Sequence, residues 1–180
     1  MEFKEAVEGR RSIRKYTEEK IPHETLREIV RLASCVPSWK NTQTVSYVIV
    51  EDETLKAQIA ADVAEMYEYN GKVIASAPAL AVLITRTGIS GYEKDGSFTT
   101  SKEDRWEVFD AGIAAQTFCL AAFEEGVGTV IMGIFDEEKT AQVLGLEEDQ
   151  KAAVLIAMGY AAKMPDARPR KSVDELLEIR

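Results

Sequence analysis

Histidine and cysteine are nearly missing from this chain: one His and two Cys in 180 residues, with no Cys-x-x-Cys pair. A zinc site therefore lacks its ligands and a disulfide framework lacks its members, so no metal is expected and Cys35 and Cys119 read as buried small hydrophobes. His23, at the start of a predicted helix, has no nearby carboxylate in view to orient it as a base and reads as an exposed terminal residue. Cations are the minority, 22 Lys+Arg against 31 Asp+Glu for a net charge of −9, which argues against a nucleic-acid surface. No apolar run approaches the ~20 residues of a membrane helix, and Met1-Glu2-Phe3-Lys4 opens no secretory signal, so a protein that meets no membrane and resides in the cytoplasm is expected. A phosphate-binding P-loop is missing too. Gly126-Val127-Gly128 follows a helix and precedes a strand, the reverse of a nicotinamide-binding fingerprint. Nucleophile–base pairs and carboxylate dyads are equally lacking, which removes the usual hydrolase chemistry.

What remains is one α+β domain over residues 1–180, without repeats or linkers. Residues 2–8 read as a short helix with Phe3, Ala6 and Val7 on one face. A second helix places Leu26, Ile29, Val30 and Ala33 on a stripe, and a third, capped by Asp52, repeats Leu55, Ile59, Val63 and Met66. Strands are expected at 45–50, 79–85, 129–132 and 152–158, the second apolar on both faces and so central. A long helix over about 104–125 draws its apolar face from Phe109, Ile113, Ala114, Phe118 and Ala121, and a short acidic helix is expected near 136–144. Ser172-Val173-Asp174-Glu175 is a capping box opening a C-terminal helix.

Against the acidic background, Gly9-Arg10-Arg11-Ser12-Ile13-Arg14-Lys15-Tyr16 concentrates four cations and a hydroxyl. One turn of backbone could aim Arg10, Ser12 and Arg14 at a single anion such as a phosphate; a solvated basic turn closing a helix is the alternative. Arg168-Pro169-Arg170-Lys171 forms a second basic cluster at the far end.

Arg-Arg-Ser-Ile-Arg near the start, Pro37-Ser38-Trp39-Lys40-Asn41-Thr42-Gln43 before a strand, and Arg-Pro-Arg-Lys-Ser near the end together resemble the nitroreductase family of FMN-dependent oxidoreductases, over nearly the whole chain. The resemblance implies a three-layer fold, a central mostly antiparallel sheet flanked by helices, in an interlocked homodimer with FMN at the interface. It implies that Arg10, Arg11, Ser12, Arg168 and Arg170 surround the FMN phosphate and ribityl chain, and that Arg14 approaches the pyrimidine edge. Pro37, Ser38, Trp39, Asn41 and Gln43 match the segment that packs on the ring from the second subunit; Met132 and Gly133 match the segment passing one ring face. The flavin, rather than a catalytic side chain, then performs the chemistry.

The implied activity is transfer of hydride from NAD(P)H to nitroaromatic or quinone-like acceptors by a ping-pong route. A specialised flavin enzyme of the reductive dehalogenase or flavin-fragmenting type, or a non-catalytic FMN-binding protein, are the alternatives. Two departures stand out: Thr44-Val45 follows Gln43 where many relatives carry Pro-Trp, and Met132 stands where several carry Glu. Residues 86–103, long and aperiodic, are expected to wall the acceptor pocket with Tyr92 and Phe98, which join Trp39 as substrate contacts; a surface excursion whose aromatics pack on their own loop is the alternative.

Overall fold

A computed structural model describes residues 2–180. Four strands, β1 (Val45–Val50), β2 (Ala79–Arg86), β3 (Gly128–Met132) and β4 (Gln150–Gly159), form one antiparallel sheet in the order β1-β2-β4-β3. Helices α1 (Phe3–Gly9), α2 (His23–Ala33), α3 (Glu53–Ser76), α4 (Arg105–Glu124), α5 (Glu137–Leu144) and α6 (Val173–Leu176) complete the chain.

The period-2 rule divides β2 between two cores. Ala79, Ala81 and Leu83 face α2 and α4, while Leu80, Val82 and Ile84 face α3 and α5. Both faces being covered explains the continuous apolar run. A bulge between Leu83 and Ile84 skips one residue of β4, so that Ala152 and Leu155 share a face. Phe118, fully buried on α4, stacks on Tyr47 of β1 with ring centroids 5.0 Å apart; burying such a ring contributes roughly 1.5–3 kcal/mol.

Helix α4 differs from the expected amphipathic face. Its buried residues are Glu107, Asp110, Ala111, Ala114, Ala115, Phe118, Cys119, Ala121 and Ala122, so the expected Ala114, Phe118 and Ala121 do turn inward, whereas Phe109 is 56% exposed. Helix α4 is apolar nearly all round, so periodicity alone does not select the buried side.

Helix α3 begins as expected, with Asp52 Oδ1 accepting the Leu55 N–H at 2.8 Å, but Tyr67 leaves helical geometry at φ −155°, ψ 93°. The half after this kink packs back on the first. A Cβ at Gly71 would lie 2.6 Å from the Ala60 carbonyl oxygen, which explains glycine there. The kink turns Met66 out to solvent, against expectation.

Smaller corrections have local causes. On α1 only Ala6 is buried, since the helix touches the body at its end, where Gly9 meets Phe123; Phe3 and Val7 are exposed. Cys35 lies in the exposed turn after α2, while Cys119 is buried, and burial pushes its thiol pKa up. His23 does have a carboxylate partner, Glu51 Oε2 at 2.7 Å, in an exposed pair. The capping box opens a helix of one turn only, after which Leu177 is extended.

Candidate active site

The basic stretch after α1 is extended backbone laid on the sheet, not a turn. The Ile13 N–H donates to the Thr129 carbonyl at 2.9 Å, the Thr17 N–H to Tyr160 at 2.9 Å, and the Ala162 N–H to Lys15 at 2.9 Å. Alternation still gathers the groups read from sequence: Ile13 turns inward at 1% exposure, and Arg10, Ser12 and Arg14 share the opposite side by period 2. Two glycines permit this close approach. A Cβ on Gly128 would sit 2.6 Å from Ile13 Cγ1, and one on Gly159 would sit 2.4 Å from Pro78 Cγ and 3.1 Å from Tyr16 Cδ1. The Tyr16 hydroxyl lies 2.6 Å from the Ile13 carbonyl oxygen and 3.0 Å from that of Ala157, and burial raises its pKa.

Arg10, Arg11, Ser12 and Arg14 line a cavity of about 500 Å³ with Arg168 and Arg170 of the C-terminal arm. Segments from both ends of the chain therefore meet. Arg31, Arg86 and Arg180 each pair with a carboxylate, but among the described residues no ion pair engages Arg10, Arg14, Arg168 or Arg170. Arg11 directs Nη1 to the Glu8 and Arg10 carbonyls at the end of α1, and Arg14 Nη1 reaches the Ser12 carbonyl at 3.2 Å. A dianionic group placed here would meet converging, unpaired guanidinium groups. The same cavity is bordered by Tyr67, Tyr69 and Asn70, which follow the helical stripe ending at Met66 and are not singled out by the sequence reading. Asn70-Gly71 inside an apparent helix was the available signal, since Asn-Gly marks turns.

The second group lies elsewhere. Ser38 to Gln43 wraps the N-terminal end of α4, with a 3₁₀ turn at Trp39–Asn41, and three non-glycine residues have left-handed φ: Lys40 (44°), Asn41 (57°) and Gln43 (51°). Such residues cost on the order of 1 kcal/mol each and persist only where surroundings fix them. Here Asp110, 2% exposed, accepts the Trp39 N–H at 3.1 Å and the Ser90 hydroxyl at 2.7 Å. Ser38 Oγ accepts the Gln43 N–H at 2.9 Å. Trp39 rests on Trp106, centroids 4.5 Å apart, and its buried Nε1 has no hydrogen-bond partner among the described residues.

Asp110 anchors this turn, and Phe123, thirteen residues along α4, meets the end of α1. At 1.5 Å per residue the two groups are held about 20 Å apart within one chain. Met132 ends β3, Gly133 follows it, and neither lines the arginine cavity. Met132 is buried in the core beneath the sheet, and Gly133 after it is exposed.

Residues 86–103 are more ordered than their composition suggests. Tyr92 and Phe98 pair as an isolated bridge with rings 4.9 Å apart, around a turn in which Asp95 accepts the Ser97 N–H at 3.0 Å. They pack on their own loop, outside the arginine cavity; Tyr92 neighbours Trp39 and Lys40 instead. Glu107 accepts the Gly88 N–H at 2.6 Å and Thr100 Oγ1 accepts Trp106 Nε1–H at 2.9 Å, fixing the loop to α4. Desolvation raises the Glu107 pKa above its ordinary value.

An antiparallel sheet between helical layers, crossed at one end by a cation-rich extended segment, defines a class, and comparison with known proteins identifies it. The chain belongs to the nitroreductase family: residues 7–160 match the family profile described as "Nitroreductase family". It is 28% identical over 189 residues to a protein of Thermus thermophilus named NADH dehydrogenase, covering 91% of this chain and 88% of that one. The nitroreductase family protein of Streptococcus pneumoniae TIGR4 superposes with a TM-score of 0.87 at 23% identity, covering 99% of this chain and 100% of that chain. An oxidized iodotyrosine deiodinase bound to FMN and 3-iodo-L-tyrosine superposes with a TM-score of 0.79 at 21% identity, covering 94% of this chain and 95% of that chain.

Proposed function

We propose that this protein is an FMN-dependent oxidoreductase that takes hydride from NAD(P)H and passes it to nitroaromatic or quinone-like acceptors in a ping-pong cycle. The observation that carries the reading is the convergence of Arg10, Ser12, Arg14, Arg168 and Arg170 on one cavity whose lining holds a single carboxylate, Asp166, with none of these arginines in an ion pair among the described residues. These groups suit a phosphate of nearly two negative charges, and Arg11 adds a further cation at the rim. FMN supplies the hydride-accepting and hydride-donating ring, which is why a chain without an acid–base pair suffices. Membership of the nitroreductase family and the FMN held by the iodotyrosine deiodinase of the same fold support the cofactor. The NADH dehydrogenase name of the Thermus relative supports the donor.

The chain's own residues would divide the work. Arg10, Ser12, Arg168 and Arg170 bind the phosphate end, Arg14 places positive charge beside the ring, and Met132-Gly133 offers backbone at the end of β3. Pro37, Ser38, Trp39, Asn41 and Gln43 contact the ring from a second copy, because about 20 Å of α4 separates them from the arginines of their own chain. A homodimer with paired α4 helices brings the two groups together. Its support is the bare outer face of α4, where Val108 is 73% and Phe109 56% exposed, and the arm, where Ile179 is 86% exposed. Two free cysteines, one of them exposed, suit a cytoplasmic location. Tyr67 and Tyr69 border the cavity and are the nearest aromatic wall for an acceptor, with Tyr92 and Phe98 reaching it across the dimer beside Trp39.

The test is direct. Purified protein offered FMN should turn yellow with one flavin per subunit, and light scattering should give a dimer. Arg10→Ala should weaken FMN binding by about 1.5–3 kcal/mol, the range for hydrogen bonds to charged groups. Anaerobic NADH or NADPH should bleach the flavin, and a nitroaromatic should restore the colour. Restoration by an iodinated phenol alone would favour the dehalogenase class, and no bleaching at all would leave a flavin-binding protein. Recovery of FAD, or of no flavin, would overturn the reading.

A further inference from the structure

We infer that Asp110 is the positioning residue for the ring-contacting turn, holding Ser38–Gln43 in its ligand-ready shape from the interior of α4. The inference rests on the reading that this turn contacts FMN. It goes further by naming a residue outside the turn that contacts the ring. Three non-glycine residues in five positions hold a left-handed φ, a conformation that an unsupported loop would leave. Support comes from one carboxylate. Both Asp110 oxygens lie 3.1 Å from the Trp39 nitrogen, and Oδ2 also takes the Ser90 proton at 2.7 Å.

Ser90 is fully buried, and its single proton goes to Asp110. Its oxygen is then free to accept from the hydroxyls of Thr42 at 3.2 Å and Thr44 at 3.4 Å. The carboxylate thus grips the turn at its start through Trp39, and near its end through Ser90 and the two threonines. A carboxylate facing inward on a helix between apolar positions costs stability unless its acceptors are filled. These acceptors are filled by donors on the two loops that the helix carries, so α4 sets the height of Trp39 and the direction of Asn41. Asparagine at 110 keeps the volume but offers one acceptor oxygen and turns an N–H₂ toward the remaining donor.

The experiment uses full-length wild-type protein, Asp110→Asn and Ser90→Ala, each as apoprotein and after FMN loading. Hydrogen exchange of the apoprotein reads the turn itself. Asp110→Asn should speed exchange of the amides of Trp39, Asn41, Thr42 and Gln43 about tenfold, with exchange in β2 unchanged. On loading, the same variant should raise the Kd for FMN about tenfold and alter the visible circular dichroism of protein saturated with flavin. Ser90→Ala, which removes one hydroxyl, should give the same pattern at about threefold, and it carries the test if Asp110→Asn does not fold. Unchanged exchange in the turn overturns the inference. Faster exchange with wild-type FMN affinity and dichroism overturns it as well, since the turn would then be held for stability alone. If wild-type protein binds no FMN, the functional reading falls and takes this inference with it; if wild type binds FMN and both variants match it, the inference alone falls.

Discussion

Replacing Gly128 with alanine tests how the cation-bearing segment is held to the sheet. The residue does not have a left-handed φ, so glycine is needed there for space and not for conformation. A methyl would lie 2.6 Å from Ile13 Cγ1, 2.9 Å from its Cβ and 3.1 Å from its Cγ2. Comfortable carbon contacts are about 3.5–4.0 Å, so one side must yield by roughly 1 Å. Ile13 is buried and its N–H is bonded to Thr129, which leaves outward movement of the segment as the way to relieve the clash. Overpacking of this kind costs about 1–3 kcal/mol, and the same shift would misalign Arg10, Ser12 and Arg14, weakening FMN about tenfold. Urea unfolding and flavin-fluorescence titration measure the two effects. Ile13→Ala removes both γ-carbons and alone should cost about 2–5 kcal/mol, yet in that background Gly128→Ala should cost at least about 1 kcal/mol less than in wild type. Wild-type stability and affinity in Gly128→Ala, or strict additivity in the double mutant, would refute the steric account.

Glu107→Gln should flatten the dependence of stability on pH. Burial raises the folded pKa of Glu107 above its ordinary 4.5, so the native state binds more protons, and the contribution present below 4.5 is lost as pH rises through the folded value. Melting curves from pH 4 to 7 should therefore fall less for the variant than for wild type, about a window set by that direction; parallel curves would dismiss Glu107 as the group. Tyr67→Ala should lower kcat/KM for a quinone by up to about tenfold, the scale of a lost aromatic contact, and Tyr92→Ala by less. Equal effects would return the 86–103 loop to the acceptor wall on the same footing as α3, and no effect of Tyr67→Ala would remove the kink from the site.

Much of this arrangement could be read from residue order, and the reasons for success and failure are physical. The strands were legible because apolar runs of strand length, bounded by Gly, Pro and polar residues, are too short for a buried helix. Asp52 and Ser172 announced helix starts through side-chain oxygens that find nearby amides. The arginine cluster was legible as a concentration of charge against the acidic background, although its geometry was not. Period 2 and a helical turn both bring residues 10, 12 and 14 together, so composition could not decide between them. Asp110 was illegible for a related reason: on a helix apolar nearly all round, a lone carboxylate suggests the outer face, and only the donors of two distant loops make the inner face tolerable. The break at Tyr67 has only Asn70-Gly71 as a local signal, and the crossing of Gly71 over Ala60 that fixes it joins residues eleven apart in the chain.

The strand order has a consequence for how the molecule is made. β4 follows the other three strands in the chain yet lies between two of them, with β2 on one side and β3 on the other. Until it arrives, β1 and β2 can pair only with each other, across the α3 connection, and β3 has only the bridge from Ser12 to Thr129. Its partners are distant as well: Gln150 pairs with Arg86 and Met158 with Ala79, so the central pairing closes spans of 64 to 79 residues before it returns any energy. The sheet therefore cannot grow strand by strand behind the ribosome. It waits for one late insertion, during which the apolar edge of β2 is open to any other strand that reaches it first.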